Sequence, residues 1–260
     1  MSKIEFRNIT KTYENNHGEV TNALENINLK VEDGEFVCVI GPSGCGKSTL
    51  LEIAAGLLSY SEGEVLLDDK QKSGPSRDIG VVFQDSSLFP WRTIEKNVEF
   101  GLEISKSDRT KYSEEVKRTI EMVGLKGFEN KYPHQLSGGM RQRAGIARTL
   151  VNNPSCILMD EPFSAVDHLT RLNLQDEIIK IWQKEKKTIV FITHDVAEAV
   201  YLADRVVLLT PRPGKIQDIF EIPFSWPRSR NNPALVQIVE KIYVALNNRD
   251  GLDSDAEYNI

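Results

Sequence analysis

The sequence predicts an α/β fold built on a parallel β-sheet that helices cover on both faces. Short apolar runs such as Phe36–Ile40 and Thr188–Ile192 are typical of strands that are buried on both faces. These runs alternate with stretches of helical periodicity, and such alternation favours a parallel sheet. The 260 residues are enough for one large domain, or for one domain with an inserted lobe.

The elements can be assigned in order from the periodicity of the apolar residues. We predict strands at 3–8, 24–31, 36–40, 63–67, 78–83, 156–159, 188–192, 205–209 and 215–222. Helical periodicity follows residue 49 and returns at 98–104, 114–123, 141–151, 172–182, 196–202 and 233–246. Residues 85–152 lack the strand pattern and predict an inserted helical lobe. The acidic stretch after residue 247 predicts a disordered tail.

Composition and charge exclude several classes of protein. Apolar residues make up 40% of the chain, charged residues 27%, and the formal net charge is −6. An acidic chain lacks a basic face that could neutralise phosphates, so we expect no nucleic-acid partner. The apolar runs are shorter than the ~18 residues of a membrane-spanning helix, and the N-terminus lacks the apolar core of a signal peptide. We therefore expect the chain to stay in the cytosol.

A glycine-rich loop follows the predicted strand Phe36–Ile40 and precedes a predicted helix. It fits the pattern G-x-x-x-x-G-K-[ST] of a phosphate-binding loop and comprises Gly41, Pro42, Ser43, Gly44, Cys45, Gly46, Lys47, Ser48 and Thr49. The free N–H groups and the dipole at a helix N-terminus favour an anion. Lys47 supplies a positive charge for the outer phosphates, and the Ser48 hydroxyl is a ligand suited to Mg²⁺. The alternative is an ordinary glycine-rich turn.

The three cysteines have no metal-ligand spacing. Cys38 and Cys156 lie in apolar strand runs, where we expect them to pack as small hydrophobic residues. Cys45 lies inside the phosphate loop, and we expect it to be open to alkylation when no nucleotide is bound.

Two further motifs carry candidate chemistry. Asp160 and Glu161 end a predicted parallel strand, at the sheet edge where ligands bind in open α/β folds. Asp160 is suited to hold Mg²⁺, and Glu161 to accept a proton from an attacking water. Ser137, Gly138 and Gly139 open a helical run, which would make a second anion-binding helix N-terminus. A surface Asp-Glu pair and a capped helix without a ligand are the alternatives; on spacing alone, the capped helix is favoured.

Together these motifs resemble the nucleotide-binding subunit of an ATP-binding cassette (ABC) transporter over about residues 3–225. The resemblance implies a P-loop NTPase (RecA-like) core with an antiparallel β subdomain and an inserted α-helical subdomain. It places core and β subdomain at 1–84 and 153–225, the helical signature subdomain at 85–152, and a C-terminal helix and flexible tail at 226–260. Residues 136–140 match the signature, although Met140 stands where Gln is commonest.

The resemblance also assigns roles to single residues, with ATP as ligand and Mg²⁺ as its metal. Tyr13 resembles the aromatic residue that stacks on adenine, and Gln84 the glutamine that touches Mg²⁺ and senses the γ-phosphate. Lys47, Glu161 and His194 are the implied catalytic residues, with Glu161 as the base and His194 as the switch histidine. Ser48, Gln84 and Asp160 are the implied metal ligands. An exposed tyrosine and a polar surface histidine remain the alternatives for Tyr13 and His194.

The same resemblance implies partners. The signature of one subunit closes over the ATP of another, so we expect a homodimer with two composite sites at the cytoplasmic face of the membrane. The segment Gln84–Trp91 would receive the transmembrane permease subunits, and an extracytoplasmic solute-binding protein would complete the system. We expect Leu88, Phe89 and Trp91 to be exposed as a partner surface, with burial in the helical lobe as the alternative.

Three stretches narrow the resemblance to the bacterial importers of nitrate, sulfonates and taurine: residues 89–93, 132–140 and 210–215. This subgroup predicts an ATPase that energises uptake of a small solute. The alternatives are an export ATPase, an ABC ATPase that acts outside transport, and a nucleotide-binding regulator without turnover.

Overall fold

The computed structural model describes residues 3–14, 18–104 and 109–247, so the expected tail after residue 247 lies outside it. The strands are β1 (Ile4–Glu14), β2 (Val20–Val31), β3 (Phe36–Ile40), β4 (Glu62–Leu67), β5 (Lys70–Gln71), β6 (Ile79–Val82), β7 (Cys156–Asp160), β8 (Thr188–Ile192), β9 (Arg205–Leu209) and β10 (Ile216–Glu221). The helices are α1 (Lys47–Ala55), α2 (Ile94–Val98), α3 (Phe100–Ile104), α4 (Arg109–Met122), α5 (Gly138–Leu150), α6 (His168–Glu185), α7 (Val196–Leu202) and α8 (Pro233–Asn247), with a short 3₁₀ helix at Pro133–Gln135.

The strands form two sheets, which confirms the predicted fold class. The larger sheet has the order β10-β9-β3-β8-β7-β6, and all its neighbours pair in parallel except β10, which runs antiparallel to β9. The smaller sheet is antiparallel with the order β2-β1-β4-β5. In the larger sheet β8 lies between β3 and β7, and the three strands run parallel. Their carboxyl ends therefore lie side by side, and the loops that follow them meet at one edge of the sheet.

Both faces of the central strands β3, β8 and β7 are buried, as the unbroken apolar runs predict. In β3, Cys38 packs into one hydrophobic core while Val37 and Val39 pack into the other. The second core also contains Leu50, Leu51 and Ile53 of α1 together with apolar side chains of the smaller sheet. Helix α1 is therefore held between the two sheets, and the loop in front of it is fixed at both ends.

The strands of the smaller sheet extend further than the apolar pattern predicts. β1 continues to Glu14 and β2 begins at Val20, whereas we predicted strands at 3–8 and 24–31. The residues added next to the turn, Tyr13 and Glu14 in β1 and 20–22 in β2, are exposed, and backbone pairing such as Tyr13 with Thr21 holds them in the sheet. Backbone hydrogen bonds need no apolar side chain, so this extension leaves no mark in hydrophobic periodicity.

Between β6 and β7 the described chain contains the helices α2 to α5 and the short 3₁₀ helix, joined by loops, and its division as an inserted lobe stays a prediction. The lobe core includes Val98, Val116, Ile120 and Ala144, which belong to the same hydrophobic cluster as one face of the larger sheet. Helix α8 also packs on that cluster, with Leu235 and Ile242 buried. Among the described residues, no helix is long and apolar enough to cross a membrane.

Candidate functional site

The phosphate loop links β3 to α1 in a conformation that requires glycine. Gly46 has φ 101°, in the left-handed region, and takes the N-cap position of α1. A Cβ on Gly46 would lie 2.6 Å from Leu24 Cδ2 and 2.9 Å from the Ala23 carbonyl oxygen. The close approach to β2 therefore leaves no room for a side chain, and it aims the first N–H groups of α1 into the loop. These donors and the helix dipole suit a phosphate.

Lys47 holds its charge inside the loop. Its side chain is buried, and the Nζ atom donates hydrogen bonds of 2.9 Å to the carbonyl oxygens of both Gly41 and Pro42. The ammonium group thus bridges the two ends of the loop and stands where the outer phosphates of a nucleotide would enter.

Cys45 corrects one expectation. Its side chain is 1% exposed and belongs to the same hydrophobic core as Leu50 and Val39. The Sγ atom lies 3.9 Å from the Nζ atom of Lys47, so the thiol is enclosed between the loop and the core. We therefore no longer expect alkylation of Cys45 in the folded protein. Cys38 and Cys156 are buried as predicted, and burial raises the pKa of Cys156 to about 12.

A cavity of about 490 Å³ opens above the loop. The residues that line it are Tyr13, Ala23, Ser43, Gly44, Gly46, Lys47, Ser48, Thr49, Gln84, Glu161, His194 and Arg212. The structure therefore gathers, in one chain, most of the candidate nucleotide-binding and catalytic residues from five separate segments. Tyr13 lies at the rim, 42% exposed, with its hydroxyl 3.5 Å from Thr49 Oγ1.

Glu161 and His194 meet at the edge of the cavity, after β7 and β8. Nδ1 of His194 lies 3.2 Å from Oε2 of Glu161, a hydrogen bond that joins the two candidate catalytic side chains. The Glu161 backbone has φ 42° and its N–H donates to the Ile192 carbonyl oxygen at 3.0 Å. A non-glycine residue in the left-handed region is uncommon, and such strain is found at functional sites. The turn directs the carboxylate out of the strand and into the cavity.

Asp160 and Ser48 form the donor set that suits a magnesium ion. Burial raises the pKa of Asp160, the hydrogen bond from Ser48 opposes that rise, and the Glu161 charge adds to it. One hydroxyl and one carboxylate fit Mg²⁺, which keeps several waters and binds the phosphates of its substrate. In the described part of the chain, no three His, Cys, Asp or Glu side chains group as a metal cluster.

The signature residues lie outside this cavity. Ser137 caps α5, its hydroxyl oxygen accepting from the Met140 N–H at 3.3 Å. Gly138 and Gly139 face Ala165 and Val166 of the same chain, since a Cβ on Gly138 would lie 3.7 Å from the Ala165 carbonyl oxygen. Their role toward a nucleotide therefore stays a prediction.

Arg212 and Ala23 are cavity residues that the sequence did not assign. Ala23 lies in β2 and Arg212 in the turn between β9 and β10. The stretch 210–215 carried a signal, since it entered the subgroup resemblance, but nothing local to it points to a phosphate loop some 170 residues earlier.

The arrangement has the parts needed to bind and cleave a phosphoanhydride. Backbone amides and Lys47 would hold the phosphates, while Ser48 and Asp160 would hold the metal that neutralises them. Glu161 stands where it could take a proton from water, and its bond to His194 fixes its orientation.

Comparison with known proteins identifies the family. Residues 24–164 match the family model described as ABC transporter. The chain is 55% identical over 240 residues to the uncharacterised ABC transporter ATP-binding protein MJ0412 of Methanocaldococcus jannaschii, covering 92% of this chain and 90% of that protein. It is 44% identical over 240 residues to the aliphatic sulfonates import ATP-binding protein SsuB of Bacillus cereus, covering 92% and 94%.

Solved structures agree with that match. A dimeric structure of a post-hydrolysis state of the ATP-binding cassette MJ0796, bound to ADP and Pi, superposes with a TM-score of 0.78. The two chains are 34% identical, and the match covers 85% of this chain and 100% of that one. Fold and phosphate loop define the chain as a P-loop NTPase. More closely, it belongs to the ABC transporter family, as an ATP-binding protein with ATPase activity.

Proposed function

We propose that this chain is the ATP-hydrolysing subunit of an importer for a small anionic solute, with an organic sulfonate as the leading candidate. It would work as a homodimer at the cytoplasmic face of a membrane, joined to permease subunits and served by an extracytoplasmic solute-binding protein. The 44% identity to an aliphatic sulfonates import protein supports the import direction and the solute class.

In each site, Lys47 and the backbone of the phosphate loop bind the ATP phosphates, and Tyr13 packs on the adenine. Ser48, Asp160 and Gln84 would hold Mg²⁺, which would supply positive charge beside the phosphates. Glu161 accepts the proton of the attacking water while His194 keeps the carboxylate in place. The cavity of about 490 Å³ and the 3.2 Å contact between Glu161 and His194 support these roles.

The dimer completes each site with a second helix N-terminus. Ser137, at the start of α5, is exposed and lies apart from the cavity of its own chain. In a two-fold dimer the α5 terminus of one copy can cover the phosphates held by the other, so that two helix dipoles face one tetraanion. The dimeric state of the ATP-binding cassette MJ0796 supports this assembly.

The surface proposed for the permease lies around Trp91, which is 71% exposed. A buried side chain, Asn97, shapes this turn. Its Oδ1 atom accepts from the Phe89 N–H at 2.7 Å, and its two Nδ2 hydrogens are shared among the carbonyl oxygens of Phe89, Arg92 and Thr93. The buried amide of Asn97 therefore fixes the backbone on both sides of Trp91. Contrary to the expectation that all three residues are exposed, Leu88 packs on the core and Phe89 is half-buried.

A cavity of about 670 Å³ adjoins this turn, with Phe89, Phe100, Leu102 and Ile104 in its wall. Ile104 is 58% exposed. The wall also contains polar side chains such as Arg77 and Asn152. A cavity with apolar and polar walls, next to the turn that carries the exposed Trp91, suits a short amphipathic helix of a membrane partner.

Helix α5 carries the observation on which the proposal depends, because it contacts the nucleotide side and the permease side at once. Gln142 donates to the Phe83 carbonyl oxygen at 3.0 Å, next to Gln84 in the nucleotide cavity. Six residues on, Arg148 donates to the Ser87 carbonyl oxygen at 2.7 Å and lines the cavity beside Phe89. A shift of α5 on ATP binding would therefore move the segment that faces the permease.

Uptake measurements test the proposal. A strain that lacks this gene should lose uptake of an aliphatic sulfonate, such as ethanesulfonate, and its growth on that compound as the source of sulfur. The wild-type gene should restore both, and a Glu161→Gln copy should restore neither, while growth on sulfate stays normal throughout. Unchanged uptake in the deletion strain would contradict the sulfonate assignment, and export of the compound in place of uptake would contradict the direction.

A further inference from the structure

The turn between β9 and β10 is held rigidly by its own hydrogen bonds. The Thr210 hydroxyl donates to the Pro213 carbonyl oxygen at 2.8 Å and accepts from the Lys215 N–H at 2.8 Å. The Thr210 N–H donates to the Lys215 carbonyl oxygen at 2.9 Å. Prolines at 211 and 213 restrict the backbone further on each side of Arg212. The turn therefore presents Arg212 from a fixed base.

This turn also packs closely against β2 and the phosphate loop. The Gly214 N–H donates to the Ala23 carbonyl oxygen at 2.9 Å, and the Gly214 carbonyl oxygen accepts from the Glu25 N–H at 3.0 Å. A Cβ on Gly214 would lie 2.1 Å from the carbonyl oxygen of Cys45. Only glycine allows the turn to approach the loop so closely, and the approach fixes the distance between Arg212 and the loop.

Arg212 lies on the side of the cavity that the phosphate loop forms. It lines the cavity together with Ser43 and Gly44, and its Nη2 atom lies 3.8 Å from the position that a Cβ on Gly44 would take. Across the described ranges, no hydrogen bond, ion pair or aromatic ring engages its guanidinium. Lys47, the other cation of the cavity wall, is already bonded to two loop carbonyls.

We propose that Arg212 is a second phosphate-binding cation of the nucleotide site, whose guanidinium binds the outer phosphates of ATP. The planar fork of arginine suits two phosphate oxygens at once, which a lysine cannot match. The inference depends on the proposed use of this cavity for nucleotide. It goes further by giving the loop 210–215 a function in ligand binding, although the sequence places it in none of the phosphate-binding motifs.

A contact of this kind makes the affinity for a nucleotide depend on how many phosphates the nucleotide carries. An arginine at the outer phosphates strengthens the binding of ATP but adds little to AMP, which ends at the phosphate next to the ribose. Arg212 therefore raises the ratio of ATP affinity to AMP affinity. Because the guanidinium is exposed, the contact also weakens as salt screens it.

Binding of fluorescent N-methylanthraniloyl derivatives of ATP and AMP tests the proposal. Arg212→Ala should weaken ATP binding roughly tenfold, the effect of one charge-assisted hydrogen bond, and leave AMP binding unchanged. Arg212→Lys should restore part of the loss. Lys215→Ala is the matched control: it removes a cation from the same turn, but one that binds Glu25 at 2.6 Å outside the cavity.

The outcomes separate this inference from the proposed function. Equal ATP affinity in wild type and Arg212→Ala overturns the inference alone, as does an equal loss for ATP and AMP with an intact thermal transition. A loss of the same size in Lys215→Ala also overturns it, because net charge would then explain the effect. If the wild-type protein binds neither nucleotide, the proposed function fails and the inference with it.

Discussion

Replacing Glu161 with glutamine tests the catalytic role at the position where the structure is most restrictive. Glutamine has nearly the same shape and takes the same φ of 42° at the same cost. It also keeps the backbone bonds of residue 161 to Ile192 and Ser164. The variant should fold as the wild type does, and only the proton acceptor of the cavity is lost.

The expected loss in rate follows from the role of a general base. Such a group contributes roughly 10²–10⁴-fold, or about 3–5 kcal/mol of the activation barrier. ATP should still bind, because the phosphate loop and Lys47 do not change. Phosphate release at saturating Mg·ATP should therefore fall by that factor, while the ATP dissociation constant stays within about twofold.

A matched control is Glu177→Gln on the exposed side of α6, where the carboxylate binds Lys180 at 2.6 Å. This variant loses the same charge far from the cavity and should keep wild-type turnover. Wild-type turnover in Glu161→Gln would refute the assignment of Glu161 as the base. Lost ATP binding together with an altered fold would refute the claim that Glu161→Gln folds as the wild type does.

Two further predictions concern Trp91 on the proposed permease surface and the buried Glu198, which follows His194 in the chain. Trp91→Ala should keep the thermal stability and the ATPase activity of the isolated chain but lose co-purification with the permease. The matched exposed aromatic change Tyr243→Ala should not, and intact co-purification of Trp91→Ala would contradict the docking surface. For Glu198, burial raises the pKa above its ordinary 4.5, although hydrogen bonds from Thr193 and Gln175 oppose the rise. When the pKa of a carboxyl group is higher in the folded state than in the unfolded state, the free energy of unfolding falls as the pH rises from 4.5 through that pKa. The reason is that the buried carboxyl group must then ionise. The Tm of Glu198→Gln relative to that of the wild type should therefore rise as the pH increases from 4.5 through the raised pKa, because glutamine does not ionise. Parallel Tm curves of variant and wild type across this range would contradict the prediction.

Much of the fold was predictable because burial on both faces leaves a strong signal. The strands Phe36–Ile40 and Thr188–Ile192 and the helix Val196–Leu202 occur at the predicted residues. The weaker predictions involve exposed or very short elements. The two-residue strand Lys70–Gln71 is exposed and held only by backbone pairing to β4, so its side chains give no pattern.

The site residues also fall into those that the sequence predicts and those that it does not. The phosphate loop and the Asp160-Glu161 pair were recognisable because each is contiguous in the sequence and ends a buried strand. The contact of Glu161 with His194 depends on β7 and β8 being neighbours, which strand order alone decides. Arg212 and the inward direction of Cys45 depend on close packing between distant segments, which no local pattern encodes.

The central claim is that the loop before α1 binds the phosphates of ATP with magnesium. Calorimetric titration of the purified chain with ATP tests it most directly, with and without Mg²⁺ and with Lys47→Ala beside the wild type. We expect wild-type binding that strengthens with Mg²⁺. In Lys47→Ala we expect it to weaken by about 1.5–3 kcal/mol, the worth of a charge-assisted hydrogen bond. Equal affinity in both proteins, or no affinity of the wild type for ATP with Mg²⁺, would contradict the account.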